Sequence, residues 1–317
     1  MVVANQFSLP DLFSERLARI IPKDFLEHVH QTFLAPKSAT VRINSLKTDV
    51  ETLINYLNKN NIHFLPVPWC PQALILENIS TRDLSDLEMV REGKLYLQGL
   101  TSIFVSQFLA PTPKDTVLDL CAAPGSKASH MAALMQNQGQ LVCVEAIRPR
   151  FYRLKSVLSL LGVSNASLVV CDGRRYRPKD IAFDKILVDA PCSSEGRFHV
   201  ANPKSFAYWS TRKIKEMVRK QRGLLLNASR LLKPGGVLLY VTCTFAPEEN
   251  EGVLDWLLRK TGGQLMMETM DVKGVDAYPT LLSWEGKEFH PDVQKATRLL
   301  PTLSMDGFFI AKLRKKE

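Results

Sequence analysis

From about Thr116 the chain alternates short runs of β-branched and other apolar residues with longer stretches of helical pattern. The runs are TVLDL (116–120), QLVCVE (140–145), ASLVVCD (166–172), FDKILVDA (183–190) and GVLLYVT (236–242). Between them, 149–161 and 212–232 read as helices, the second followed by KPGG, where Pro234 and two glycines forbid continuation. Strand-like runs separated by helices predict a parallel sheet covered on both faces, an α/β, Rossmann-like doubly wound domain. DGFFIAKLRK (306–315) adds a late strand suited to a sheet edge or an antiparallel pair.

Upstream the pattern changes. A helix-like stretch over 12–34 leads to ATVRINSLKT (39–48), a helical VETLINYLNKNN (50–61) and the proline-rich FLPVPWCPQALIL (64–76). Strand, helix and strand in that order predict a small α+β module. With the boundary near Gly93 to Gly99, the expected organisation is a small N-terminal module over 1–95 and a larger domain over 96–317.

Composition narrows the class. The 317 residues, 45% hydrophobic and 23% charged, suffice for a large core and two domains. No basic-then-apolar leader and no apolar run near 18 residues occurs, so a cytoplasmic location is expected. The six cysteines form no CxxC or CxxH pair, which argues against a zinc site and a disulfide framework, and no metal is expected. Cys143 and Cys171 read as small buried hydrophobes. A net charge of +9 suits a partner carrying phosphates.

The chemistry gathers at strand ends, where α/β folds place it. After the first strand, DLCAAPGSKASH (119–130) is a small-residue turn feeding a helix, suited to a nucleotide-like ligand approaching backbone and helix N-terminus. It is neither a GxGxxG nor a GxxxxGK[ST] loop, which weakens NAD and ATP readings. Glu145, Asp172 and Asp189 end or follow three successive strands; one such acid alone would read as a helix cap, but three form an acidic rim for hydroxyl and amine donors. Cys192 and Cys243 each lie just beyond a strand, as a nucleophile would. None of the six histidines completes a Cys/His signature, so a thiol protease is a poor second choice.

Together these segments resemble the NSUN/RsmB (Nol/Nop/Sun) family of S-adenosylmethionine-dependent RNA cytosine-5 methyltransferases. CAAPGSK (121–127) resembles the family's cofactor loop, VVCDGR (169–174) its third-strand acid and DAPCSSEG (189–196) its PC segment. LLKPGGVLLYVTCTFAPEENE (231–251) resembles its TC segment, while VRINSLK (41–47) and RLLP with DGFFIAKL (298–313) resemble its outer motifs. The resemblance implies S-adenosyl-L-methionine as cofactor and an RNA substrate, tRNA or rRNA, bound by a monomer. It implies Cys243 as nucleophile at carbon 6 of cytosine and Cys192 in product release, with Asp189 and Lys127 beside the base or cofactor. For the cofactor it implies Cys121, Ala122, Ala123, Pro124, Gly125, Ser126 and Lys127 under the methionine portion, with Asp189 nearby. Glu145 is then expected on the ribose, Arg150 in support of that corner and Asp172 toward the adenine. Arg42, Lys47 and Arg197, with Arg174, Arg175, Arg212 and Lys213, are candidates for an RNA path.

Four positions depart from the family pattern: Ser126 replaces a glycine, Ser194 and Glu195 occupy a turn usually containing glycine, and Val241 replaces a serine. Two other readings stay open. One is a cofactor-binding RNA assembly factor or chaperone without catalysis, against which both thiols speak. The other is a DNA cytosine methyltransferase, in which the PC thiol would attack.

Overall fold

The computed structural model describes residues 8–317. It opens with two helices, α1 (Asp11–Ile20) and α2 (Lys23–Leu34). The single helix expected over 12–34 is broken because Pro22 lacks an N–H and drives Ile21 into extended backbone, with ψ of 133°. Then come β1 (Ala39–Ile43), α3 (Val50–Lys59), β2 (Phe64–Val67), β3 (Cys70–Leu76), two short helices α4 (Thr81–Asp86) and α5 (Glu88–Arg91), and β4 (Leu95–Leu97). Their strands pair antiparallel in the order β2-β3-β1-β4. Val41, Ile43, Leu53, Leu57, Leu74 and Leu95 fill a core of their own beneath this sheet. Helices α1 and α2 do not join that core. Phe13, Leu17, Val29 and Phe33 pack instead with Phe198 and Phe245 of the larger domain, the Phe13 and Phe198 rings 4.9 Å apart. The first seven residues of the expected module lie outside the described residues.

The remainder is α6 (Leu100–Leu109), β5 (Thr116–Asp119), α7 (Ser126–Leu134), β6 (Gln140–Glu145), α8 (Arg148–Leu160), β7 (Ala166–Val170), β8 (Phe183–Asp189), α9 (Thr211–Leu231), β9 (Leu232–Thr242) and α10 (Glu251–Thr261). Six strands close the chain: β10 (Leu265–Glu268), β11 (Ala277–Tyr278), the hairpin β12 (Ser283–Trp284) and β13 (Lys287–Glu288), β14 (Thr297–Leu299) and β15 (Phe308–Lys315). The main sheet runs β11-β14-β15-β9-β8-β5-β6-β7, with β10 also on β15. Strands β5 to β9 are parallel, while β15 is antiparallel to β9, as the late-strand pattern suggested.

Alternate residues of each central strand enter opposite cores. Leu118, Val142, Ile186 and Leu238 face one side; Val117, Leu141, Leu187 and Leu239 face the other. Burial on both faces is why these strands read as continuous apolar runs. The chain leaves β5 toward β6 and β7, then returns to place β8 and β9 on the other side. Strand order therefore reverses between β5 and β8, where open α/β sheets hold their ligands. One boundary differs from its sequence pattern. Extended pairing begins at Leu232 opposite Phe183, so KPGG lies in a bulged strand and not in a loop.

Candidate active site

A cavity of about 710 Å³ opens at the reversal point, lined by the loops after β5, β6, β7, β8 and β9 and by residues 96–102. Every expected cofactor residue except Gly125 lines it. Gly125 lies just beneath with φ +108°, and a Cβ there would meet Leu154 and Val157 of α8 at 3.2 Å, so only glycine lets the loop close onto that helix. Arg150 holds the loop from α8 by donating to the Ala123 carbonyl at 2.7 Å. Glu145 is 3% exposed, accepts the Ile147 N–H at 2.9 Å and has Arg150 3.5 Å away. That leaves carboxylate lone pairs for sugar hydroxyls, so these residues fit a nucleoside. Asp172 is more committed: the Arg174 side chain donates to both its oxygens at 2.9 and 3.0 Å, which lowers its pKa. A ligand amine would share Asp172 with that guanidinium.

At the other end stand the two thiols. Cys243 directly follows β9 and Cys192 follows β8, and their sulfurs are 3.3 Å apart. The contact separates their chemistry. Cys243 is pushed below the ordinary thiol value, first by the hydrogen bond from Cys192 and then, against burial, by Arg197; Cys192 is pushed well above it. The two shifts favour charge on Cys243 and the proton on Cys192. Lys127 reaches in from α7, donating to Asp189 at 2.6 Å and to Ser102 at 3.2 Å, with its ammonium 5.6 Å from the centre of the Phe308 ring.

Buried hydrogen bonds fix the two thiol loops to each other. The Gly196 N–H donates to the Cys243 carbonyl at 2.9 Å, and the Ser193 hydroxyl donates to Thr244 at 2.7 Å. Glu249, fully buried, accepts the Ser193 N–H with both oxygens and an amide N–H of Gln221 at 2.6 Å; burial pushes its pKa up to about 8. Glu195 accepts from Thr244, from the Phe245 N–H and from Trp209. The replacement noted at Glu195 therefore puts a structural carboxylate under the TC loop.

Of the candidates for an RNA path, Arg174 and Arg197 line the cavity, whereas Arg42, Lys47, Arg175, Arg212 and Lys213 do not. Arg42 is 1% exposed, its Nε donating to Gln98 at 2.7 Å and its Nη2 to Ser129 at 3.0 Å; it joins the small sheet to α7 and faces no RNA. A basic residue in a strand between two domains reads in sequence like one on a surface. Lys47 is exposed but donates to the Glu92 carbonyl, outside the cavity lining. Asp119 was missed: it is 1% exposed in the cavity wall, and burial, then Asp189, push it up to about 7. Its place at the end of β5 matches the rule that found the other acids. Glu249 and Gln221 carry no such signal. Among the described residues, no group of acids, histidines and cysteines could hold a metal ion, and no helix is long and apolar enough to cross a membrane.

Comparison with known proteins agrees with this geometry. Residues 106–314 match the 16S rRNA methyltransferase RsmB/F family, and residues 9–81 match the RsmF/B-like ferredoxin-like domain. The chain is 35% identical to a tRNA (cytosine(49)-C(5))-methyltransferase of Pyrococcus abyssi, covering 88% of this chain and 89% of that protein. It is 32% identical to ribosomal RNA small subunit methyltransferase F of Vibrio parahaemolyticus, covering 97% of this chain but 63% of that one. A solved methyltransferase homologue from Pyrococcus horikoshii superposes with a TM-score of 0.82 at 30% identity, over 98% of this chain and 96% of the other.

Proposed function

The chain belongs to the RsmB/F family of RNA cytosine-5 methyltransferases, and from that premise we propose that Cys243 and Cys192 divide the reaction between them, with S-adenosylmethionine as methyl donor and tRNA or rRNA as substrate. The observation that carries this reading is the 3.3 Å contact between two thiols of opposite pKa shift. Carbon 5 of cytosine is a weak nucleophile. The Cys243 thiolate adds to carbon 6, forming a C–S bond and moving the ring's π electrons toward carbon 5. Lys127, fixed by Asp189 and Ser102, bears on the same space and stabilises the charge that develops on the base. S-adenosylmethionine, when bound, supplies an electrophilic methyl group; the 121–127 loop, Glu145, Arg150 and Asp172 would hold it. Carbon 5 must then give its proton to water or to the Asp189 carboxylate as the electron pair returns and the Cys243 thiolate leaves. Cys192, beside the leaving sulfur, serves that stage. A target in a duplex must be flipped into the cavity, and a loop is the more accessible substrate.

The test uses tRNA, rRNA and DNA with labelled S-adenosylmethionine, followed by bisulfite mapping of protected cytosines. Cys243→Ala is expected to abolish methylation and any covalent protein–RNA adduct. Cys192→Ala is expected to accumulate a denaturation-resistant adduct that depends on Cys243 and the cofactor. The adduct forming in Cys243→Ala and vanishing in Cys192→Ala would reverse the roles, and label appearing in DNA alone would refute the RNA assignment.

A further inference from the structure

Gln98 lines the cavity at the link between the small sheet and α6, is 3% exposed, and its Nε2 donor has no hydrogen-bond partner. A buried amide donor left unpaired is destabilising, so its presence in the wall points to a ligand atom that completes it. The amide is not free to turn. Its Oε1 accepts from Arg42 Nε at 2.7 Å, and this fixes Nε2 as the group left over. Arg42 itself is buried and its partners are neutral: Gln98, the Ser129 hydroxyl and the Tyr96 ring. Its charge is not cancelled by an acid and polarises the Gln98 amide toward donation.

Helix α6 starts at the next residue but one. Gly99 has no side chain to cap it; the Ser102 N–H turns back to the Gly99 carbonyl, the earlier N–H groups of a helix lack internal acceptors, and Gly99, Thr101 and Ser102 all line the cavity. The positive end of the helix dipole therefore meets the cavity beside Gln98. Elsewhere the wall mixes acids, Asp119 and Asp172 among them, with the cations Lys127, Arg174 and Arg197, and the carboxylate of Asp306, whose main chain bonds Thr101, is paired with Lys37 and Arg197. Beside Gln98 an anionic group would meet both the unpaired amide donor and the helix N-terminus.

We propose that Gln98 Nε2 and the N-terminus of α6 form an oxyanion subsite within the proposed methyltransferase site, taking either a phosphate of the RNA or the carboxylate of the cofactor's amino-acid tail. The inference rests on the reading above. Gln98→Glu is the informative variant: it keeps an oxygen for Arg42 and replaces the donor by a negative charge. Binding of S-adenosylhomocysteine, of 5′-methylthioadenosine (which lacks the amino-acid tail) and of a cytosine-containing RNA is measured by calorimetry at fixed salt. Loss of at least tenfold in S-adenosylhomocysteine affinity, with methylthioadenosine unchanged, identifies the carboxylate. The same loss for RNA alone identifies the phosphate. Wild-type affinity for all three ligands in a folded Gln98→Glu protein overturns the subsite. Should that variant fail to fold, Gln98→Met, of similar volume and without a donor, is read by the same criteria. Methylation of RNA by the wild-type protein is scored separately, so failure of the subsite and failure of the proposed function are distinguishable.

Discussion

At the scale of single residues, two side chains carry charges whose environment sets a measurable pH response. The Cys243 thiol is pushed below its ordinary value, first by the Cys192 hydrogen bond. Its alkylation by iodoacetamide, followed by mass spectrometry, is expected to reach half-maximal rate below the ordinary thiol value of about 8.5. Cys192→Ala removes the donor and is expected to move that midpoint upward; a midpoint unchanged in the variant would exclude the thiol contact as its cause. Asp119 behaves in the opposite sense. Its folded-state pKa is raised from 3.8 to about 7, so the folded protein keeps a proton that the unfolded chain has lost. Its contribution is most favourable below the unfolded value and is lost progressively as pH rises to about 7. Asp119→Asn retains an acceptor for the Cys121 N–H and is expected to be the more stable protein at pH 8, with a flatter dependence of Tm between pH 4 and 7.

Between elements, the thiol loops are braced from behind. Arg298 on β14 and Glu251 at the start of α10 form an ion pair at 2.6 Å with side chains 1% and 0% exposed, and Arg298 also donates to the Phe245 carbonyl at 2.9 Å. Removing one member of such a pair leaves a buried charge uncompensated, at about 3–5 kcal/mol. Arg298→Met is expected to lose stability of that order in urea denaturation. The double variant with Glu251→Gln should recover much of it, and equal losses in the two proteins would show that the pair is not coupled. The TC loop lies next to this brace, so its position depends on β14 and α10 as well as on β9, which carries it.

Across the whole molecule, charge and topology act on the same ligand. Net charge is +9, and Arg174, Arg197 and Lys220 line the cavity beside Cys243 and its cofactor loop. RNA affinity is expected to fall steeply with salt, by about 0.7 in logarithmic slope for each phosphate contact on single-stranded RNA. Arg197→Gln should reduce the slope by about that amount. A slope unchanged by the variant would remove Arg197 from the phosphate path, and its charge would then serve only Cys243.

Much of this protein follows from its sequence because parallel strands buried on both faces must be continuous apolar runs, and their ends must open at one edge of the sheet. That logic places Glu145, Asp172, Asp189, Cys192 and Cys243 around one cavity before any coordinates exist, and would have placed Asp119 there too. Motif spacing also identified the family, since several short segments in fixed order specify far more than any one of them. Tertiary structure alone decided which partner each polar group meets. Arg42 has the sequence appearance of a surface cation, yet the docking of the small sheet against α7 buries it and turns it toward Gln98. Helices α1 and α2 precede the small sheet in the chain but pack on the large one, because their apolar faces match Phe198 and Phe245. The difference between the two thiols is likewise spatial: residues 51 positions apart acquire opposite pKa shifts only when the fold brings their sulfurs to 3.3 Å. Periodicity records which side of an element is buried; it carries no record of what lies across the interface.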